Sequence, residues 1–330
     1  MLVVDLLKAP LRTPYHLARR FVFKIGLYLA NNHYGVYFSR YLSSAMKEYI
    51  LRRLPRNEMQ FVTRRIRGFL TCLDISEYGG IAFAFQAEQV FASHFLIADH
   101  IVRPGDLVID VGANVGIFSL HCARLGAQVY GFEPEALNYS ICSLNKAINK
   151  FHNVEFFNVG VGETSKTATL HVNPLNSGAH SLFRSEAMRD SSHYLPWEPI
   201  TEDLTESQEI QTESQDIQVH PLDYYDFAVQ GDVRLLKVDV EGYELEVLDG
   251  MKKVLKESPP GVIFIEDRVA LERFRNRATE YNHVLEPAGY TLHYLSGETL
   301  TRDATKRTNM SDCVFVHSRV PHEDLKALLR

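Results

Sequence analysis

Residues 106–135 read "DLVIDVGANVGIFSLHCARLGAQVYGFEPE", and the folding of this stretch decides how the rest of the chain is read. "LVIDV" is a continuous apolar run ending near Asp110, "NVGIFSLHCARLG" has helical character, and "QVYGFE" is a second apolar run closed by Glu133. Strand, glycine-bearing turn, helix and strand make up the start of a nucleotide-binding α/β unit. The turn does not suit a dinucleotide. That fingerprint, G-x-G-x-x-G, uses its second glycine for close approach to a pyrophosphate and its third for helix packing. Here Asn114 and Ile117 follow Gly112 at those places, and the other glycine is Gly116. What remains is a tight turn whose helix N-terminal amides can meet a single carboxylate. Asp110 is suited to pair with an ammonium, and Glu133 to accept two hydrogen bonds from ribose hydroxyls. S-adenosylmethionine, with an amino-acid end and an adenosine end, satisfies both sites.

Working outward, apolar runs and helical segments alternate. "EQVFASHFLIADHIV" reads as a helix before the first strand, "PEALNYSICSLNKAIN" as a helix after the second, and "NVEFFNVGVG" as a third strand. "VRLLKVDVEG", "GVIFIE", "GYTLHYL" and "DCVFVH" supply four more strands, with helices over "YELEVLDGMKKVLKES" and "LERFRNRATEYNHVLEPA". Continuous apolar strands alternating with helices predict a parallel sheet covered on both faces, and the last two strands an antiparallel edge. The expected fold is α/β, a Rossmann-like, doubly wound, mostly parallel seven-stranded sheet with an N-terminal helical extension.

Charge divides the chain. Residues 1–70 hold 13 Lys+Arg against 3 Asp+Glu, whereas the remaining 260 hold 22 against 38. "TPYHLARRFVFKIGLYL" predicts a basic amphipathic helix, for packing on the body or for a peripheral membrane or protein contact. It is too polar for a membrane span, and no signal-peptide cleavage pattern follows it. The basic clusters "LRRLPR" and "TRRIRG" lack interleaved aromatics, so nucleic-acid binding is not expected. Four cysteines without metal or disulfide spacing fit a reducing, cytoplasmic setting. Residues 190–233 contain no Lys or Arg, and within them "TESQEIQ" (205–211) is repeated at once as "TESQDIQ" (212–218). The expectation is an exposed acidic loop insertion at about 190–218, in a domain spanning 81–330 behind a basic, mainly helical extension over 1–80.

"DVGANVGIFSL", "FEPEALNYSICSLNKAIN", "LKVDVEGYELEVLDGMKKVL" and "GVIFIE" closely resemble the FkbM family of S-adenosylmethionine-dependent methyltransferases, over about residues 85–317. The motifs D-V-G-A-N-x-G and K-x-D-x-E-G-x-E are specific in combination. The resemblance implies a class I methyltransferase fold and methyl transfer to hydroxyls of sugars or polyketide-type natural products. It implies that Asp110, Gly112, Asn114 and Gly116 surround the methionine end and Glu133 the ribose. The backbone near Val159 to Gly162, with Val161 at its centre, would meet the adenine. Asn145 and Asn149 read as structural, bonding at helix ends or loops.

For the chemical step, Asp239 ends a strand expected to lie beside the first one, and is the expected acceptor-positioning residue or base. Glu241 follows in the loop, and Lys237 shares the strand parity of Asp239 and can pair with it. His180, in "NSGAHSLF", is a second possible base. Glu266 closes the next strand, and with Asp239 it offers oxygen ligands suited to Mg²⁺, although a metal-free site is the simpler expectation. Two other readings stay open: a nucleotide (NAD)-dependent oxidoreductase, disfavoured by Asn114 and Ile117, and a non-catalytic S-adenosylmethionine-binding scaffold.

Overall fold

The computed structural model describes residues 61–75, 77–173, 176–183, 213–227, 232–266, 277–306, 312–326 and 328–329. The basic helix expected over residues 13–29, the tract 190–212 and the first heptapeptide copy lie outside these. The described chain begins with a hairpin, β1 (Phe61–Ile66) and β2 (Phe69–Asp74). Arg67 and Gly68 between them have φ of 46° and 94°, the pair of left-handed residues that a two-residue hairpin turn requires. Ile66, Phe69 and Leu73 enter the main core. This hairpin lies inside the extension expected over residues 1–80. Residues 61–75 are strand and turn, not helical extension, and they share the core of the body because the apolar members of "RRIRGFLTCL" point inward.

Helices α1 (Tyr78–Val90) and α2 (Ala92–Ile101) lead to β3 (Leu107–Val111), α3 (Ile117–Arg124), β4 (Gln128–Phe132), α4 (Ala136–Asn149) and β5 (Val154–Phe157). After the insertion come β9 (Val233–Val238), α5 (Glu244–Asp249), α6 (Lys252–Glu257), β10 (Val262–Ile265), α7 (Arg277–Leu285), β11 (Tyr290–Ser296), β12 (Thr299–Thr301), β13 (Cys313–His317) and α8 (His322–Leu325). The sheet order is β12-β11-β13-β10-β9-β3-β4-β5. β10, β9, β3, β4 and β5 run parallel, and β13 is antiparallel to both its neighbours, β10 and β11. The expected strands are all present, with the three-residue β12 added at the antiparallel edge.

Every residue of β3 and of β10 is buried, as strands covered on both faces must be. One apolar cluster, with Phe95, Phe118 and Leu120, covers one face, and a second, with Val247, Leu248 and Tyr281, covers the other. Complete burial of a side chain such as Ile109 or Ile263, each 0% exposed, is worth roughly 1.5–3 kcal/mol. The chain fills the sheet from β3 out to β5, then returns to lay β9 on the opposite side of β3. Loops therefore diverge between β3 and β9, opening a crevice at their C-terminal ends. No helix among the described residues is long and apolar enough to cross a membrane.

The third expected strand, "NVEFFNVGVG", breaks in two. β5 stays on the main sheet, and β6 (Gly160–Val161) joins a small sheet of order β6-β8-β7, with β7 (Lys166–Val172) and β8 (Glu213–His220). Asn158 marks the break: its Nδ2 donates to the carbonyls of Glu133 and Pro134, both at 2.9 Å. β8 also corrects the expected loop at 190–218. β8, which holds residues 213–218 of the second heptapeptide copy, pairs antiparallel with β7 from Glu213 to Val219. Ile217 and Val219 turn into a small apolar cluster with Leu170, and Asp216 and Gln218, on either side of Ile217, are exposed.

Candidate functional site

The turn after β3 is forced by a close approach of backbones. Gly112 has φ +80°, and a Cβ there would lie 1.8 Å from the backbone oxygen of Asp239. Only glycine lets the ends of β3 and β9 meet this closely. Asn114 follows at φ 51° and Glu241, in the loop after β9, at φ 54°. Both line one cavity of about 400 Å³ at the crevice. Non-glycine residues held in the left-handed region concentrate where structure serves function.

Lys237 is the electrostatic centre. Its Nζ stands 3.2 Å from Asp110 Oδ1 and 3.2 Å from Asp239 Oδ2, and donates to the Gly112 carbonyl at 2.9 Å. Burial opposes its charge, but Asp110 and then Asp239 outweigh that and hold the ammonium well above the usual lysine range. Asp110 is wholly buried, and its other oxygen accepts from Ser119 Oγ at 2.6 Å. Asp110 faces inward, and the ammonium beside it is that of Lys237. Gly116, at φ +85°, caps α3, and a Cβ there would press on Phe156 and Cys142. Its glycine serves packing of α3 against α4 and β5, not the cavity wall.

Glu133 lines the cavity and also holds the turn. Its Oε2 accepts from the Asn114 amide at 2.8 Å and its Oε1 from the Glu135 amide at 2.9 Å. Burial pushes its carboxyl up to about 8 against the pull of these two bonds. Asn114 and Asn138 each donate through Nδ2 to the Ser177 carbonyl at 3.1 Å. Glu77, which caps α1 through the amides of Gly79 and Gly80, accepts from Ser177 N at 2.9 Å and Ser177 Oγ at 3.0 Å. These bonds hold the segment around residues 176–181 along one wall of the cavity.

His180, in that segment, is already bonded at one ring nitrogen. Its Nδ1 accepts from the Asn173 amide at 3.1 Å, which leaves Nε2 carrying the proton. Burial pushes its pKa down to about 4, so it faces the cavity as a neutral hydrogen-bond donor. Asp239, Glu241 and Glu266 come together as expected of neighbouring strand ends, with one oxygen each within 4.8 Å of the others. Lys237 already brings a positive charge to Asp239, which a divalent ion at the same oxygens would have to overcome. Gly112, Asn114, Glu133, Val161, His180, Lys237, Asp239, Glu241 and Glu266 thus share one cavity.

Sequence reasoning missed two residues here. Glu77 is a cap seen only once its partner 100 residues on is in place. His94, on α2, lines the cavity, yet it sits in the apolar run "FASHFLI" with no pattern to mark it.

A family model described as "Methyltransferase FkbM domain" matches residues 110–292. The chain belongs to the FkbM methyltransferase family. Among curated relatives of this FkbM chain, Methyltransferase sdnD of Sordaria araneosa is 30% identical over 178 residues, 51% of this chain and 68% of that protein. Methyltransferase 1 of Beauveria bassiana is 26% identical over 187 residues, 54% of this chain and 72% of that protein. Among solved structures, the SAM-dependent methyltransferase of Agrobacterium tumefaciens aligns with a TM-score of 0.42 at 10% identity, covering 81% of this chain and 73% of that one. The FkbM chain is an S-adenosylmethionine-dependent methyltransferase. Its cavity fits that cofactor: each Glu133 oxygen accepts one backbone amide and has a second lone pair for a ribose hydroxyl. The size also falls within the usual range for small-molecule sites.

Proposed function

We propose that the chain methylates a hydroxyl oxygen carried on a largely apolar, polyketide-type scaffold, with a glycan hydroxyl as the less favoured acceptor. Glu133 would hold the ribose, Val161 and its neighbours the adenine, and the Gly112–Asn114 turn the amino-acid end. The cofactor supplies a methyl carbon already activated by its sulfonium. The chain's own task is to align an acceptor oxygen and receive its proton, and alignment is the larger effect, with effective molarities of ~10⁵ M or more available from orientation.

The observation that carries this reading is Asp239. It projects at the crevice from the end of β9, held by the buried Lys237 ammonium at 3.2 Å and by its amide to the Val111 carbonyl at 3.0 Å. An acid fixed in this way can accept and orient a hydroxyl. Phe83, Val90, Phe91 and Leu182 supply apolar wall to the same cavity, which favours a hydrophobic acceptor over a sugar bristling with hydroxyls.

The test is calorimetric titration with S-adenosylmethionine, followed by S-adenosylhomocysteine release in the presence of macrolide, phenol and methyl-glycoside acceptors. Product with a new O-methyl group on the apolar acceptors is expected. Binding with methylation at nitrogen or carbon alone would overturn the hydroxyl assignment.

A further inference from the structure

His94 is 7% exposed and lines the cavity, and its Nε2 has no hydrogen-bond partner among the described residues. A buried polar atom left unpaired gives up its hydration with no bond in return, so its retention calls for a reason. The imidazole is held by ring edges, with centroids 4.9 Å from Phe264, 5.5 Å from Phe91 and 5.9 Å from Phe118. Its Nδ1 lies 3.3 Å from Ser93 Oγ. With the proton on Nδ1 directed at that hydroxyl, Nε2 bears a lone pair. Asp110 and Asp239 are already engaged with Lys237, whereas this nitrogen is not.

We infer that His94 is a catalytic residue of the acceptor side: Nε2 accepts the hydrogen bond of the incoming hydroxyl and then its proton. This rests on the hydroxyl-methylation reading above. As the new oxygen–carbon bond forms and the carbon–sulfur bond breaks, the acceptor oxygen becomes strongly acidic, and its proton passes to Nε2. What the step needs is an available lone pair in position more than a strong base. Of the charges that face the imidazolium so formed, Lys237 opposes it and Asp239 supports it, so the proton stays on Nε2 only in transit to solvent.

The test uses the full chain labelled with ¹⁵N-histidine and saturated with S-adenosylhomocysteine. H94F, which keeps the ring packing, assigns the His94 signals by their loss. Nε2 is expected at the position of an unprotonated imidazole nitrogen, moving on addition of phenol or cyclohexanol and not on addition of toluene. A protonated Nε2, or a resonance that neither alcohol shifts, overturns the inference. H94F is expected to bind S-adenosylhomocysteine as the parent does, and a comparable loss of cofactor affinity would also overturn it, by placing His94 on the cofactor side. Failure of the parent chain to bind S-adenosylhomocysteine would instead strike at the function proposed above.

Discussion

Lys237 Nζ and Asp110 Oδ1 stand 3.2 Å apart at the joint between the two central strands, with the acid fully buried and the lysine 3% exposed. Removing one member of a buried ion pair leaves a charge without compensation and typically costs about 3–5 kcal/mol. Lys237→Met is therefore expected to lower the unfolding free energy in urea by that amount. Asp110→Asn added to it should restore part of the loss. A single variant as stable as the parent would show that the pair contributes nothing.

Glu133 gives the protein a pH dependence of definite sign. Its carboxyl rises from an ordinary 4.5 to about 8 on folding, because it is buried. The folded state thus holds this proton more tightly than the unfolded chain, and the associated stability is full below pH 4.5 and lost as pH rises through about 8. Glu77, raised by burial to about 7, acts in the same direction. The urea midpoint of the ligand-free protein should fall across this window, and Glu133→Gln should flatten the fall. Affinity for S-adenosylmethionine should run the opposite way, strengthening as the carboxylate forms, and calorimetry at several pH values would read it.

Two glycines with similar backbones separate conformational cost from collision. Gly105 has φ +88° and nothing within 4 Å of a built Cβ, whereas at Gly112 the Cβ would fall 1.8 Å from the Asp239 oxygen. Gly105→Ala should cost only the left-handed penalty, about 1–2 kcal/mol. Gly112→Ala should cost distinctly more and should also abolish cofactor binding, since β3 and β9 must part. Equal thermal midpoints for the two variants would contradict the close approach.

Asp239→Asn keeps the shape of the side chain and removes its charge. Turnover on any acceptor is expected to fall by ~10²-fold or more, the scale of losing alignment at a reacting centre. Calorimetric affinity for S-adenosylmethionine should stay nearly constant. Undiminished turnover would remove Asp239 from the chemistry.

Much of the fold is legible because β3, β4, β9 and β10 are short, mostly apolar runs with no competing helical reading. The site is legible wherever a strand ends in a carboxylate: Glu133, Asp239 and Glu266 all reach the cavity. Asn145 also behaves as read, bonding to the backbone of Cys72 and Val115. The direction of Asp110 is not legible, since a strand-end acid can face a ligand or a neighbouring strand, and Lys237 decides which. The hairpin of residues 61–74 is hidden by its three arginines, which mask a period-two pattern. His94 carries no signal at all until Phe91, Phe118 and Phe264 surround it.

β8 has a spare. Excising residues 212–218 would join "TESQEIQ" directly to Val219, rebuilding the strand with one substitution, Glu for Asp at position 216. The inward isoleucine would keep its place two residues before Val219, so the pairing with β7 and the cavity wall that Ile217 provides are encoded in duplicate. The length of the preceding acidic segment can then change by a whole heptapeptide while the alternation of the strand is preserved, which uncouples insertion length from the integrity of the binding site.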